Sequence, residues 1–226
     1  MEIGSSEWFQ LIIDGAASCG VALRPDHLRL FARHAHELVK WNTVTNITAI
    51  TQPEDIARNH FVDSLAPARL IAPGSNLLDV GSGGGFPGLP LHIIGAGLHT
   101  TLLDAARKKV SFLRYLAREL DLKDIEVVNI RLEELARQPG RALSYDVIVS
   151  RAFSSVVSFV RAALPLLKSH GRMIALKGAI SPAELEELQD AARGGAFGQA
   201  LSFDRQPYTI AGLRRERVMV VIGRSA

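Results

Sequence analysis

The sequence contains a single cysteine, Cys19, so no disulfide can form within the chain and a cysteine-rich zinc site is excluded. It has no apolar run approaching the roughly 20 residues that cross a membrane. Its first ten residues, MEIGSSEWFQ, lack the basic start and apolar core of a signal peptide. These absences predict a cytoplasmic protein without a membrane partner.

Metal-binding motifs are also missing. The chain has seven histidines, and none of them falls in an HExxH-like spacing. His27, His34 and His36 share one stretch of helical pattern, and we interpret them as solvated residues on a helix surface. We therefore expect no bound metal ion.

The bulk composition is that of an ordinary globular protein. Of the 226 residues, 47% are hydrophobic and 22% are charged, which suits one medium domain with an extension. The formal net charge is +3 and the calculated pI is about 9.2. This balance is compatible with a polyanionic partner but does not require one.

A change of pattern near the segment APGSN divides the chain. Before it, residues 25–42 and 52–70 carry apolar side chains at helical spacing, and residues 43–51 predict a loop. The first of these helices places Leu28, Phe31, Ala35, Leu38 and Val39 on its apolar side. We expect a helical extension over residues 1–72 and a second domain over residues 73–226.

After the boundary, short apolar runs alternate with helical stretches. The predicted strands are residues 77–80, 99–104, 125–130, 145–152 and 171–178. Runs this apolar are typical of a parallel sheet that is covered by helices on both faces. Two final strand candidates, residues 199–210 and 215–224, leave no room for a helix between them. They predict an antiparallel hairpin at the edge of an α/β sheet.

The stretch LLDVGSGGGFPGLPLH, residues 77–92, marks the first strand and the turn that follows it. Ligands of open α/β sheets bind beyond the carboxyl ends of the strands. Glycines at this point permit positive φ angles and close approach of a ligand to the backbone. A plain tight turn would need one glycine, so the five glycines here predict a loop that cradles a nucleotide-like molecule.

The spacing of the loop separates two cofactor classes. The dinucleotide fingerprint would require a glycine where the chain has Phe86. The template acidic-x-G-x-G-x-G is matched in full by Asp79, Gly81, Gly83 and Gly85. This pattern resembles motif I of class I S-adenosylmethionine-dependent methyltransferases. Asp79 either contacts the amino-acid tail of that cofactor or accepts backbone N–H groups of the turn, and its residue type leaves both roles open.

Asp104 ends the second predicted strand. A carboxylate at this position can accept both hydroxyl groups of a ribose. The alternative is a cap for the helix that follows. Position and residue type favour the ribose role, but either cofactor class carries a ribose.

Several longer stretches carry a closer resemblance. They are KWNTVTNIT, RNHFVDSLA, DVGSGGGFPGLPL, LLDAARKKVSFLR, RLEEL, VIVSRAFSS and LKG, in this order along most of the chain. Together they resemble the RsmG (GidB) family of bacterial small-subunit ribosomal RNA methyltransferases. The resemblance implies a Rossmann-like class I methyltransferase sheet with an antiparallel C-terminal strand, preceded by a helical N-terminal extension. It also implies methyl transfer from S-adenosylmethionine to N7 of a guanine, nucleotide 527 of 16S ribosomal RNA.

The same resemblance implies a set of cofactor-binding residues. Carried over by motif, these are Gly81, Phe86, Leu132, Glu133 and Arg151. Taken by residue type alone, Phe86 predicts core packing, and Leu132 with Glu133 predicts a helix start. Arg151 stands at the tip of an apolar strand, where a basic residue rarely serves packing alone.

Further absences are compatible with the N7 target that the resemblance implies. The [ND]PP[YF] motif of exocyclic-amine methylation is replaced by SRAF, and Cys19 lies far from the place of a carbon-5 nucleophile. Guanine N7 has a free lone pair and no proton to lose, so we expect no general base and a reaction governed by positioning. We expect Arg151 and Lys177 to orient the guanine through its O6 edge or through phosphate.

Contact with RNA would also need a basic rim. Two clusters of basic residues are candidates: Arg107, Lys108, Lys109, Arg114 and Arg118, and Arg214, Arg215 and Arg217. A solvated helix face and a charged sheet edge explain them equally well. Trp41, Asn42 and Asn46 could contact bases, although packing of Trp41 against the main domain is the stronger interpretation.

Three alternatives stay open at this point. An NAD(P)-dependent oxidoreductase would need a hydride-transfer pocket, which the sequence does not reveal. A small-molecule methyltransferase would leave a basic rim without a use, and a catalytically silent RNA chaperone could share the fold. The favoured partner is 16S ribosomal RNA or the small ribosomal subunit.

Overall fold

A seven-stranded sheet forms the centre of the computed structural model, which describes residues 1–153, 155–213 and 216–225. The strand order is β3-β2-β1-β4-β5-β7-β6. The strands are Asn76–Val80 (β1), His99–Leu103 (β2), Ile125–Val128 (β3), Tyr145–Ser150 (β4), Leu167–Lys177 (β5), Leu201–Tyr208 (β6) and Arg217–Arg224 (β7). The first five strands are parallel, as their apolar character predicts.

Helices connect these strands and precede them. They are Ser6–Ser18 (α1), Pro25–Thr45 (α2), Pro53–Ile56 (α3), Asp63–Leu65 (α4), Gly88–Ile94 (α5), Arg107–Glu119 (α6), Leu132–Arg137 (α7), Val156–Ala163 (α8) and Pro182–Arg193 (α9). A π-helical stretch, Ala57–Val62, joins α3 to α4. In the part of the chain that the structure describes, no helix is both long and apolar enough to cross a membrane.

The C-terminal hairpin completes the predicted fold. β6 and β7 pair antiparallel, with Asp204 opposite Val221. β7 also pairs antiparallel with β5, where Ala175 lies opposite Val220. β7 therefore lies between β5 and β6, and the expected antiparallel strand next to the fifth strand is confirmed. Pro207, which lacks an N–H, lies in the edge strand β6, where a missing ladder bond is tolerated.

Side chains of the central strands alternate between the two faces of the sheet. One face carries the buried residues Leu78, Ile148 and Met173, and the opposite face carries Leu77, Val147 and Ile174. This period of two lets helices bury both faces. The carboxyl ends of β1, β2 and β4 consequently meet at one edge, where the connecting loops can hold a ligand.

The helical extension packs on the sheet face that α5 and α6 cover. Its core residues Phe31 and Phe61 belong to one apolar cluster with Phe86, Leu89 and Phe112 of the sheet domain. Trp8 of α1 is fully buried, and its indole N–H donates to Pro53 O at 2.9 Å. The core is thus continuous across the segment APGSN, and the division into residues 1–72 and 73–226 stays a prediction.

Several details differ from the expectations. α2 extends to Thr45, three residues into the predicted loop, and the next helical segment ends at Leu65. Val39 is 36% exposed, although helical spacing puts it on the same side of α2 as the buried Ala32 and Ala35. The expectation of solvated histidines is wrong for His27 and His34, which are buried. α1 and α9 were not identified from the sequence.

Candidate functional site

The glycine loop joins the end of β1 to the start of α5. Gly81 has a φ of +73°, and its N–H and that of Ser82 both donate to Leu103 O, at 2.8 and 3.0 Å. A Cβ on Gly81 would lie 2.4 Å from Cβ of Ala152. Gly83 and Gly85 also have positive φ. The loop therefore folds tightly across the carboxyl ends of β1 and β2.

A cleft of about 370 Å³ opens beside this loop. It is lined by Val80, Gly81, Leu103, Asp104, Ala105, Lys109, Ile130, Arg131, Leu132, Glu133, Ala152 and Phe153. Four of the predicted cofactor residues, Gly81, Asp104, Leu132 and Glu133, thus come together here. The volume lies in the range of small-ligand sites, and the mixture of apolar walls with few polar groups is typical of them.

Asp104 lies in the cleft wall and is only 8% exposed. Its Oδ1 accepts the N–H of Ala106 at 2.8 Å, and its Oδ2 accepts the N–H of Gly83 at 3.0 Å. The carboxylate thus caps the turn before α6 and ties the glycine loop to β2. Each oxygen keeps a further lone pair, so the ribose contact stays a prediction that is compatible with this geometry.

Asp79 lies beneath the loop rather than in the cleft. Its side chain is fully buried, and Oδ2 accepts the N–H of Gly88, the first residue of α5, at 2.9 Å. Burial raises the pKa of Asp79 to about 6. A Cβ on Gly88 would lie 2.7 Å from Cβ and from Oδ2 of Asp79, so only glycine leaves room for this contact. Of its two predicted roles, the structure shows the one that holds the turn, and the cofactor contact stays a prediction.

The start of α5 bears on the choice of cofactor. A dinucleotide would place its pyrophosphate on the free N–H groups at this helix start. Here the carboxylate of Asp79 already accepts the first of them and would repel a phosphate. The cleft offers an adenosyl group apolar walls in Leu103 and Leu132 and an acceptor for its hydroxyl groups in Asp104.

Phe86 packs in the interior between two histidines. Its ring stacks on His34 at a centroid distance of 4.6 Å and on His60 at 4.4 Å, both at an interplanar angle of 8°. The residue is 3% exposed and is not part of the cleft wall. Its contact with the cofactor, which the resemblance implies, stays a prediction, and this placement restricts it to the backbone.

The two histidines hold the loop in their neutral form. Burial lowers the pKa of His34 to about 4 and that of His60 to about 3. Nε2 of His34 lies 2.7 Å from Gly84 O, so this nitrogen carries the proton and donates it to the loop. Nε2 of His60 pairs with the hydroxyl of Thr48 at 3.0 Å. The helical extension therefore grips the glycine loop directly.

Arg151 follows β4 and turns toward the helical extension. Its Nη1 donates to Asp63 Oδ2 and to Asn59 O, both at 2.9 Å. Its Cζ lies 5.5 Å from the centroid of the Phe86 ring, a cation–π distance. Arg151 is thus placed beside Phe86 of the glycine loop and does not belong to the cleft wall.

Lys177, the last residue of β5, is expected to orient the guanine. Its Nζ forms an ion pair with Glu184 Oε1 at 2.5 Å, and both side chains are about 15% exposed. The same oxygen of Glu184 accepts the N–H of Val156 at 3.1 Å. This network joins β5 to α8 and α9, and the orienting role stays a prediction.

Asp63 was missed by the sequence analysis. It stands in RNHFVDSLA, a stretch that was used only for its resemblance and its apolar side. Its carboxylate is buried and binds Arg151, Arg217 and the hydroxyl of Tyr208. A lone acidic residue near apolar helix positions was the one local signal available.

The predicted basic residues fall into two groups. On α6, Arg107, Lys108, Arg114 and Arg118 are exposed and Lys109 lines the cleft. Arg217 is instead directed inward, because its Nη1 lies 3.1 Å from Asp63 Oδ1 and its Nη2 donates to Asn59 Oδ1 at 2.6 Å. Arg214 and Arg215 lie outside the described residues.

The residues proposed to contact bases differ in their surroundings. Trp41 packs against Phe112 and Tyr115, as the packing interpretation expects. Oδ1 of Asn42 accepts the N–H groups of residues 47 and 48, which closes the loop after α2. Asn46 is exposed and has a left-handed φ of 47°. Asn46 therefore keeps its polar groups at the surface.

Comparison with protein families identifies close relatives. A family model described as GidB, rRNA small subunit methyltransferase G, matches residues 27–199. Ribosomal RNA small subunit methyltransferase G of Geotalea uraniireducens is 48% identical over 169 residues, covering 75% of this chain and 76% of that protein. The protein of the same name from Geobacter sp. (strain M21) is 41% identical over 216 residues, covering 96% of this chain and 97% of its own length.

Solved structures agree on the fold. An O-methyltransferase from Bacillus cereus in complex with SAH has a TM-score of 0.58 at 16% identity, covering 84% of this chain and 90% of its own. A SAM-dependent methyltransferase from Aquifex aeolicus has a TM-score of 0.56 at 15% identity, covering 82% of this chain and 97% of its own. At these identities the likeness shows the fold.

The contact between Gly81 and Ala152 predicts the effect of Gly81→Ala. The new methyl group must displace Ala152 while the backbone keeps a positive φ, so we expect the free energy of unfolding to fall by about 1–3 kcal/mol and ligand affinity to fall with it. Gly97→Ala is the matched control, because Gly97 has a φ of +66° with nothing within 4 Å of the new Cβ. Urea unfolding of both variants measures the difference. Equal losses in the two variants would show that the Ala152 contact costs nothing.

The buried histidines predict a loss of stability in acid. The unfolded chain protonates both imidazoles below about pH 6.5, but the fold keeps them neutral, so the free energy of unfolding falls as the pH falls from about 6.5 toward 4. The raised pKa of Asp79 has the opposite effect on the free energy of unfolding between about pH 4 and 6, but Asp79 is present both in wild type and in the variant used below. His34→Gln keeps a donor for Gly84 O and removes one imidazole. Between about pH 7.5 and 5 we expect the variant to lose roughly 2 kcal/mol less than wild type.

Chemical denaturation across this pH range gives the slope of the free energy of unfolding against pH. The stacking on Phe86 that His34→Gln loses shifts this free energy at every pH and leaves the slope unaffected. His36→Gln is the control, since His36 is exposed on the same helix. A His34→Gln slope equal to that of wild type would contradict the neutral buried imidazole.

Proposed function

The chain belongs to the GidB family of rRNA small subunit methyltransferases, and from this premise we propose that it methylates N7 of a guanine, nucleotide 527, in 16S ribosomal RNA. Its methyl donor is S-adenosylmethionine. The observation that carries the proposal is the cleft beside the glycine loop, where Gly81, Asp104, Leu132 and Glu133 meet. An oxidoreductase that uses NAD(P) is disfavoured by the carboxylate at the start of α5.

The cleft residues divide the binding of the donor among them. We assign the adenine to the apolar side of the cleft near Leu132 and the ribose hydroxyl groups to Asp104. Gly81 borders the cleft without a side chain, because a Cβ there would lie 2.4 Å from Cβ of Ala152. When bound, the donor supplies an electrophilic methyl group on a sulfonium.

The nucleophile needs no base from the protein. The lone pair of N7 forms the new bond to carbon, and the sulfur keeps the electron pair of the bond that breaks, so no proton moves. Catalysis then depends on holding N7 in line with the methyl group. Positive charge beside N7 would oppose the cationic product, so basic groups belong at O6 or at phosphates.

Arg151 has the geometry for such a contact. Its Nη1 is occupied by Asp63 and Asn59, and within the described ranges Nε and Nη2 have no acceptor in the protein. Those two groups form the fork that pairs with an oxygen acceptor such as guanine O6 or a phosphate. Lys177 supplies a second positive charge at the end of β5.

The exposed basic face of α6 suits an RNA partner. Arg107 and Lys108 are exposed near the cleft, and Lys109 with Arg131 lines it. Positive charge at a ligand cleft attracts phosphates and makes binding depend on salt concentration. This placement supports a macromolecular RNA substrate over a small molecule, for which such a face would have no use.

The proposal is tested with labelled S-adenosylmethionine and small ribosomal subunits that lack the modification. We expect label on one guanine at position 527, with release as 7-methylguanine. Naked 16S RNA in a parallel reaction shows which form is the substrate, and calorimetry with NADH serves as the negative control for the cleft. Label on another atom or another nucleotide would refute the proposed specificity, and binding of NADH would refute the cofactor assignment.

The role of Arg151 predicts a loss of activity without unfolding. In Arg151→Ala, Arg217 and Tyr208 still hold Oδ1 of Asp63, so the protein should fold, with some loss of stability because Oδ2 loses its charged partner. Loss of a positioning contact should lower the rate of methyl transfer roughly 10²-fold. Arg141→Ala is the matched control, since Arg141 pairs with Glu126 at the opposite edge of the sheet. Single-turnover rates and circular dichroism measure the two effects, and a wild-type rate in Arg151→Ala would remove the assignment.

A further inference from the structure

A buried polar cluster lies between the helical extension and the sheet. Its centre is Asp63, the first residue of α4, whose side chain is 1% exposed. Oδ2 accepts Nη1 of Arg151 at 2.9 Å. Oδ1 accepts the hydroxyl of Tyr208 at 2.7 Å and lies 3.1 Å from Nη1 of Arg217. One carboxylate therefore joins β4, β6 and β7 to the helical extension.

The two oxygens of the Asp63 carboxylate have different partners. Tyr208 and Arg217 hold Oδ1 from the C-terminal hairpin, and Arg217 is itself held by Asn59 at 2.6 Å. Burial, together with Asp63, raises the pKa of Tyr208, which keeps its hydroxyl as a donor. The direction of Asp63 is thus set without Arg151. Oδ2 is left to receive the guanidinium.

Among the described residues, the protein holds the Arg151 guanidinium through one nitrogen, Nη1. Nη1 of Arg151 donates both to Asp63 Oδ2 and to Asn59 O. Two acceptors on one nitrogen define the plane of the guanidinium, and the ring of Phe86 lies beneath its carbon at 5.5 Å. An arginine side chain otherwise has many rotamers, and freezing it in advance removes an entropic cost from each binding event. Nε and Nη2 then point their donors at a fixed place.

Stability alone explains this cluster poorly. A buried ion pair contributes little net stability, because desolvation offsets the attraction, and apolar residues of similar volume often serve as well. The cluster also carries two guanidinium groups against one carboxylate, so it keeps a formal charge of +1 at the edge of the site. Both arginine side chains are partly exposed, at 21% and 24%, so this excess charge can attract an anion or an electron-rich group.

We propose that Asp63 is a positioning residue for methyl transfer, which fixes the guanidinium of Arg151 so that Nε and Nη2 face the bound reactants. This inference rests on the proposed function for the identity of the RNA substrate. Its test through the affinity for S-adenosylmethionine does not depend on that substrate. Asp63 touches neither cofactor nor RNA and acts through Arg151. The C-terminal hairpin, through Tyr208 and Arg217, becomes part of the support of the site.

A double-mutant cycle of Asp63→Asn and Arg151→Ala tests the proposal. The asparagine keeps the shape of the side chain but removes its charge and one acceptor. We expect Asp63→Asn to lower the single-turnover rate or the affinity for S-adenosylmethionine at least tenfold in the wild-type background. In the Arg151→Ala background the same substitution should change either quantity less than twofold, because its target is gone.

Asp146→Asn is the matched control. Asp146 also pairs with a basic residue, Lys168, at 2.8 Å and accepts the N–H of Asn76 at 2.9 Å, but at the opposite edge of the sheet. Its removal is expected to lower the melting temperature and to leave the methylation rate unchanged. Asp63→Asn effects of equal size in both backgrounds would overturn the proposal, since a purely structural residue gives additive losses. A wild-type rate and affinity in Asp63→Asn, or in Arg151→Ala, would overturn it as well.

Two further measurements cover the cases in which Asp63→Asn does not fold or wild type does not methylate the subunit. Should Asp63→Asn fail to fold, hindered rotation of the Arg151 guanidinium is measured by nuclear magnetic resonance in the wild type, with Arg151→Lys identifying the signal. Slow rotation supports the proposal, and free rotation overturns it. Should wild type fail to methylate the subunit, the proposed function fails, while the cycle on the dissociation constant of S-adenosylmethionine still decides the role of Asp63.

Discussion

The site depends on the grip that buried polar groups exert on the glycine loop from two sides. Beneath the loop, Asp79 accepts the first N–H of α5, which only the absence of a side chain at Gly88 allows. Above it, Phe86 lies between the imidazoles of His34 and His60, which the helical extension supplies. A flexible run of glycines has no preferred shape of its own, so this grip defines where the backbone meets a ligand. The helical extension therefore supports the loop that borders the cleft.

A second interaction, an ion pair, also joins the sheet domain to the helical extension. Asp63 brings Arg151 of the sheet domain against the helical extension and leaves part of its guanidinium available. Buried pairs of this kind are weak sources of net stability, and their value lies in geometry. The two interactions meet at Phe86, which the histidines stack and the guanidinium covers. The cleft thus lies on one side of the loop, and the guanidinium of Arg151 lies nearer the helical extension.

Much of this architecture is predictable from the sequence. Short apolar runs predict the parallel strands, and two runs without space for a helix between them predict the hairpin. The glycines after the first strand predict the loop. The partners of the polar residues are not predictable in this way. His34 meets Gly84 across 50 residues, and Arg151 meets Asp63 across 88. For this reason a buried histidine was taken for a solvated one, and Asp63 went unnoticed.

The sequence by itself determined the class of fold, the place of the ligand loop and the family, because periodicity, glycine spacing and short motifs are local properties of the chain. Only the tertiary structure decided which ionisable groups are buried and which partner each one has. Burial sets the pKa of Asp79 and of the two histidines, and pairing sets the direction of Arg151. Both depend on the low dielectric and the neighbours that folding brings together from distant parts of the chain.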